Sequence, residues 1–447
     1  MAKTRTMTEG TPWKLIFNFS IPLMFGNVFQ QLYTVVDTMI VGKALGVSAL
    51  AALGAADWLS WMALGMIQGI TQGFSILMAF EFGAGNHGKL RKVVGNSSVL
   101  SCFGAVILMI VTQLAARPVL GLLKTPESII GPSLLYLRIM FLGIPAVMAY
   151  NLQAAVLRAL GDGKTPLQAM IVASIVNIGL DLLFVMGFGW GIGGAAWATI
   201  IAQACSAVYC FAVVRKIEIL SLQKSDFTVE SGLAGRLMEM GLPMSFQSCI
   251  IAIGGMIVQS VVNRFGVLFI AGFTATNKLY GLLEVAATSY GYSMTTYVSQ
   301  NLGGGSVKRI KQGMRSGLIL GTITSAVIAL AMILLGKPIL SLFITATPEE
   351  AQTVLGIAYH YLVIMSVFLP ILYLLYVVRS AIQGMGNTFL PLMSGIMELV
   401  MRTGAALLLP LLVGQEGVLY AEVLAWIGAD IVLIISYFVK IKGLEKQ

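Results

Sequence analysis

Four residues in otherwise apolar stretches of this 447-residue chain have the types and spacing to hold a cation: Asp37, Asn177, Asp181 and Thr199. Two carboxylates, an amide and a hydroxyl brought together make a cage of hard oxygen ligands suited to Na⁺. The same carboxylates, set side by side, equally suit a proton, because neighbouring like charges resist being ionised together. Asn177 and Asp181 are four residues apart, which on a helix puts them on one face. The plain alternative is that each acid pairs with a helix end or a buried base. A second polar set lies in the C-terminal half: Lys278, Glu284, Glu398, Arg402 and Glu422. Glu398 and Arg402, again four apart, are expected to form a structural ion pair. Glu284 and Glu422 remain rival coupling acids.

The elements that must carry these residues are membrane helices. Of the residues, 57% are hydrophobic and 11% charged, and mean hydropathy is +0.89. A soluble domain carries about a quarter charged residues. In lipid every backbone polar group must be satisfied internally, and long apolar runs without alternation choose helices over a barrel. Twelve such runs are expected, near 15–41, 50–79, 93–116, 129–152, 166–187, 193–214, 236–263, 271–300, 312–335, 353–377, 390–412 and 418–439. The fold class is therefore an all-α membrane protein with twelve transmembrane helices. With both termini in the cytoplasm, 20 of the 28 Lys and Arg fall on that side and 5 outside, among them Lys3 and Arg379 inside and Lys124 outside. That bias sets the orientation and accounts for the +9 net charge without nucleic acid. On this topology Asp37 is about four residues from the outer end of its span, and Asp181 and Thr199 about six. At ~1.5 Å per residue the three share a depth of roughly 6–9 Å. An ionisable group at such a depth is costly, which makes it a functional candidate.

The halves repeat at an offset near 220. Ile21-Pro22-Leu23 returns as Leu242-Pro243-Met244, and Glu81-Phe82-Gly83-Ala84-Gly85 as Asn301-Leu302-Gly303-Gly304-Gly305. Gly161-Asp162 to Pro166 returns as Gly386-Asn387 to Pro391. Six spans return each half to its starting side, so the repeats are parallel, with an N-terminal lobe of 1–222 and a C-terminal lobe of 223–447 joined through the polar 215–235 loop. Such lobes imply a central cavity and alternating access. The repeat does not duplicate the acids: Asp37 aligns with Val258, Asn177 with Arg402, Asp181 with Ala406 and Thr199 with Glu422.

Other chemistries find no support. Gly163-Lys164-Thr165 resembles the end of a phosphate-binding loop, but Arg158 stands where the earlier glycine is required. Without a nucleotide domain, ATP-driven pumping is excluded. His87 and His360 are isolated, and no hydrolase arrangement is present, so the chain is not expected to be an enzyme. Cys102, Cys205, Cys210 and Cys249 lie in apolar stretches with no zinc spacing and are expected to be free thiols. No cofactor is expected beyond the coupling ion, and no cleaved signal peptide.

The pattern Gln30-Gln31-Leu32-Tyr33, Val36-Asp37-Thr38, Val41-Gly42 and Leu50-Ala51-Ala52 resembles the first-span signature of multidrug and toxic compound extrusion (MATE) transporters. Leu157-Arg158-Ala159-Leu160-Gly161-Asp162 with Lys164-Thr165-Pro166 resembles their span four-to-five loop. Asn177-Ile178-Gly179-Leu180-Asp181, Gly194-Ala195-Ala196 and Thr199 complete the likeness, which covers essentially the whole chain. The resemblance, closest to the DinF-type branch of the multidrug/oligosaccharidyl-lipid/polysaccharide flippase superfamily, implies export of organic, often cationic and amphipathic, compounds in exchange for H⁺ or Na⁺. It implies a cation site of Asp37, Asn177, Asp181 and Thr199, with the Ala195 carbonyl as a further ligand, and a substrate cavity lined by Gln30, Tyr33, Tyr136, Asn151 and Met170. It marks Pro22 as a point where the first helix can bend. It further implies a monomer in the cell inner membrane whose partners are the bilayer and a small organic substrate. The alternative is a lipid or lipid-linked precursor flippase. Those often have a strongly cationic cavity and extra spans, whereas the embedded bases here are Arg138, Lys278 and Arg402.

Overall fold

The computed structural model describes residues 4–123, 125–342, 344 and 348–446. Lys3 and Lys124 of the charge count lie outside them. Among the described residues the chain is helical throughout, with fourteen α-helices and no strand. In order they are α1 (Pro12–Leu45), α2 (Val47–Gly83), α3 (His87–Leu122), α4 (Glu127–Leu142), α5 (Ile144–Ala159), α6 (Lys164–Asp181) and α7 (Gly191–Val214). Then follow α8 (Ser231–Val262), α9 (Val267–Gly303), α10 (Val307–Ser341), α11 (Pro348–Val367), α12 (Leu369–Gly384), α13 (Phe389–Val413) and α14 (Ala421–Leu444).

Two spans are broken. α4 and α5 meet at 47° and α11 and α12 at 48°. In each case a proline opens the second helix, Pro145 and Pro370, where its missing N–H is no loss and the preceding turn cannot continue through it. Counting each bent pair once gives twelve rods. Ten are long and apolar enough to cross a membrane on that count. The other two, α1 and α9, run 34 and 37 residues and carry the polar residues of interest.

The chain divides into two units. Unit 1 comprises Met1–Met7 and Ile21–Cys249, and unit 2 comprises Thr8–Ser20 and Ile250–Gln447. Helices α1 and α8 are thus each divided between the units, near the repeated prolines Pro22 and Pro243. α1 nevertheless runs as one unbroken helix through Pro22.

Within unit 1, α2 packs on α3, α4 and α5, and α6 pairs with α7. The contact between α2 and the first half of α8 depends on small residues. A Cβ on Gly69 would come within 2.6 Å of the Ser245 backbone, and one on Gly73 within 2.5 Å of Gly241. Ser245 Oγ also donates to the Met66 carbonyl at 2.7 Å. Lipid tails are as apolar as leucine, so close backbone approach and interhelical hydrogen bonds must supply the attraction. Unit 2 uses the same device, since α9 Ser293 donates to the Ile16 carbonyl of α1 at 3.0 Å. Its α9 packs on α10, α11 and α12, and α13 pairs with α14.

The glycine-aspartate repeat is a helix start. Gly161 takes φ 79°, and Asp162 Oδ1 then accepts from the Lys164 and Thr165 amides at 2.9 and 3.0 Å, capping α6. Gly386, at φ 74°, and Asn387, accepting from the Leu390 amide at 2.9 Å, do the same for α13. One expectation is corrected. Arg379, counted above as a flanking cytoplasmic charge, lies inside α12, buried and paired with Glu398. The apolar run ends near 377, but the helix continues to Gly384, and an acid on a neighbouring helix compensates the buried guanidinium.

Candidate cation site

The α6–α7 hairpin of unit 1 positions most of the site. Met170, Ser174, Asn177 and Asp181 recur at helical spacing along α6, and all four are buried. Asp181 closes the α-helix, and the chain continues as a π-helical turn, Leu182–Gly187, before α7 begins. Such turns recur at functional sites, where they re-aim side chains at some cost in hydrogen bonding. Stacking of Phe184 on Trp190, with ring centroids 4.7 Å apart, fastens the connection.

Across this hairpin Asn177 Nδ2 donates to Thr199 Oγ1 at 3.4 Å, and Thr199 Oγ1 donates to the Ala195 carbonyl at 3.1 Å. Asp37, on α1, brings its carboxyl group against that of Asp181. Asn177, Thr199 and Ala195 are thus linked by hydrogen bonds, and Asp37 stands against Asp181, one helical turn along α6 from Asn177. Asp181 is fully buried, Asn177 is 1% exposed and Asp37 7%. No donor reaches Asp37 Oδ1, Asn177 Oδ1 or either carboxylate oxygen of Asp181. Four buried oxygens without a donor are the chemistry that a positive charge would satisfy, since leaving such groups unpaired costs on the order of several kcal/mol. A proton held between Asp37 and Asp181 satisfies it, and so does a hard cation taking those oxygens as ligands. Among the described residues no group of three or more His, Cys, Asp or Glu is disposed to hold a metal ion, so a metal here would depend on the neutral oxygens of Asn177, Thr199 and Ala195.

The residues assigned to substrate divide. Tyr33 faces Asp37 and Gln203, with Gln30 beside it. Tyr136, buried on α4, faces both Asp37 and Asp181. Asn151 instead turns its amide back to the Val147 carbonyl on α5 at 2.8 Å. Met170 is packed on α6, eleven residues ahead of Asp181. Two neighbours escaped the sequence reading. Asp57 on α2 stands near Asp37 as a third acid, and Gln203 on α7 has a buried Oε1 with no donor. Both carried a usable signal, a polar group inside an apolar run.

In unit 2 the polar set is differently made. Glu398 bridges Arg379 at 2.7 Å and Arg402 at 3.0 Å, and Arg402 reaches Glu422 at 2.7 Å. Glu284 accepts from the Tyr376 hydroxyl. The rival acids are thus each supplied with a donor, unlike Asp37 and Asp181. Lys278 is exposed on α9.

Helical rods in two repeated units, most of them long and apolar enough to cross a membrane, have the architecture of a membrane transporter. The MatE family model matches residues 22–183 and again 243–406, one copy in each half. The chain belongs to this family, the multidrug and toxic compound extrusion transporters, and is not an enzyme. It is 31% identical over 316 residues to the probable multidrug resistance protein YpnP of Bacillus subtilis, covering 69% of each chain. It is 29% identical over 350 residues to YoeA, a probable multidrug resistance protein of the same organism, covering 76% of each. Among solved structures, a multidrug/oligosaccharidyl-lipid/polysaccharide superfamily transporter from Pyrococcus furiosus superimposes with a TM-score of 0.93 at 23% identity, covering 99% of this chain and 98% of that one. That likeness establishes the fold.

Proposed function

We propose that the chain is a secondary antiporter that exports organic, cationic or amphipathic compounds in exchange for H⁺ or Na⁺ by alternating access. In this reading it acts as a monomer in the inner membrane with both termini cytoplasmic, as two lobes of 1–222 and 223–447. The coupling ion binds at Asp37 and Asp181, with Asn177, Thr199 and the Ala195 carbonyl completing the cage, while Gln30, Tyr33, Tyr136, Asn151 and Met170 contribute to the substrate cavity. One observation carries the proposal: the buried, donor-free oxygens of Asp37, Asn177 and Asp181. A site built this way is stable with a cation and strained without one, so occupancy and conformation must be linked. The names of the Bacillus relatives support an organic substrate.

The test is reconstitution in sealed vesicles with a fluorescent cationic dye. An imposed pH or Na⁺ gradient should drive dye movement, and the gradient that works identifies the ion. Dye movement indifferent to both gradients would sink the antiport reading.

A further inference from the structure

Asp430 lies near the middle of α14, 4% exposed, and neither of its carboxylate oxygens meets a donor. The charged groups that face it are Arg379 from α12 and Glu398 from α13. Arg402 and Glu422 stand one step further along the same chain of ion pairs, and Glu398 also neighbours the Tyr376–Glu284 pair. The turn Gln415–Tyr420, which also packs on α14, carries Glu416, and that residue is exposed. Four carboxyl groups, Glu284, Glu398, Glu422 and Asp430, therefore surround two guanidiniums, Arg379 and Arg402.

Arg379 gives the independent observation. Its Nη2 donates to Glu398 Oε2 at 2.7 Å and to Ser394 Oγ at 3.5 Å, while its Nε, also buried, has no acceptor. A donor without an acceptor thus stands beside a carboxyl group without a donor. An ionised Asp430 would draw that Nε–H to itself, because an uncompensated buried carboxylate is far costlier than a neutral acid. That Arg379 Nε and both Asp430 oxygens are left without partners fits a neutral Asp430.

We propose that Asp430 is a second proton-binding site, housed in unit 2 and separate from the Asp37–Asp181 pair, whose protonation decides which helices Arg379 ties together. With the proton on Asp430, Arg379 belongs to Glu398 and joins α12 to α13. When the proton leaves, the carboxylate accepts from Arg379 Nε, and the same guanidinium also joins α12 to α14. The proposal does not rest on the assignment of unit 1.

Infrared spectroscopy of the full-length protein, with ¹³C-labelled aspartate carboxyls, reads it directly. In an Asp37→Asn/Asp181→Asn background a protonated-aspartate C=O band should persist at neutral pH. Adding Asp430→Asn should remove that band, a loss of one carboxyl group. Should the triple variant not fold, Asp430→Glu moves the band from the aspartate-labelled to the glutamate-labelled spectrum. Absence of the band in the background, or its survival in Asp430→Asn, overturns the proposal. So would a band that Na⁺ abolishes at constant pH, which would make the site one for a metal ion.

Discussion

Asp181→Asn changes one oxygen for an amide of the same shape, so its effect separates charge from packing. The side chain is fully buried beside Asp37, and in the proposed site the substitution removes one of the two charges offered to the coupling ion. Gradient-driven dye efflux should fall by at least about tenfold at equal expression, equivalent to ~1.4 kcal/mol in a rate. Efflux at the unsubstituted rate would remove the acid pair from the mechanism. Glu398→Gln should behave oppositely. Glu398 holds two guanidiniums from two helices, and breaking a buried pair costs about 3–5 kcal/mol. Melting temperature should drop by several degrees with modest loss of transport; a stable protein that no longer transports would move coupling into unit 2. At this scale the sequence was informative where an ionisable residue interrupts an apolar run, as at Asp37 and Asp181, because lipid makes such residues rare. Asp57 and Asp430 carry the same signal, an acid inside an apolar run, though they escaped the sequence reading. Arg379 could not be placed from sequence, since its compensation by Glu398 spans nineteen residues and a turn of chain.

Ten of the twelve rods were legible for a physical reason: the bilayer requires about twenty apolar residues per crossing, whatever they later touch, whereas α1 and α9 are interrupted by polar residues. The glycine-aspartate and glycine-asparagine helix starts were visible as a repeat, though their capping role needed the amides of Lys164, Thr165 and Leu390. The division of α1 and α8 between units left no mark in hydropathy, because it depends on which helix each half meets. Its trace is the small-residue stripe Gly65, Gly69 and Gly73, whose purpose appears only when α8 lies on it. Gly69→Leu should therefore be damaging despite being more apolar. The added side chain must displace Met244 and Ser245 backbone atoms 2.6–2.7 Å from its first carbon. Overpacking costs typically ~1–3 kcal/mol and more when backbone must move. Thermal stability in detergent should fall by several degrees and expression with it. A melting curve superimposable on the parent would show that this contact contributes nothing.

For the molecule as a transporter, the consequence of the proposed sites is that one helix would carry both kinds of ligand. Gln30 and Tyr33 precede Asp37 by seven and four residues on α1, which sets the three along one stripe, and Tyr33 faces Asp37 directly. A cation carried from outside across the whole membrane gains about 2.3 kcal/mol per charge per 100 mV, part of it on reaching the site and the rest on release inside. That matches the ~1–3 kcal/mol by which two sites on one protein commonly influence each other. Cation binding at Asp37 can therefore change the position of α1 enough to weaken contacts made by Gln30 and Tyr33. Linkage is reciprocal, so a saturating drug must weaken cation binding by the same factor. Drug affinity of the purified protein should accordingly shift by about tenfold, or ~1.4 kcal/mol, across a pH or Na⁺ series, and Asp37→Asn should flatten the dependence. The measurement is a binding isotherm for one fluorescent cationic drug at each pH and Na⁺ concentration, in both proteins. If affinity is already flat in the parent, or the variant keeps the full dependence, then α1 does not link the two ligands and exchange must run through other residues.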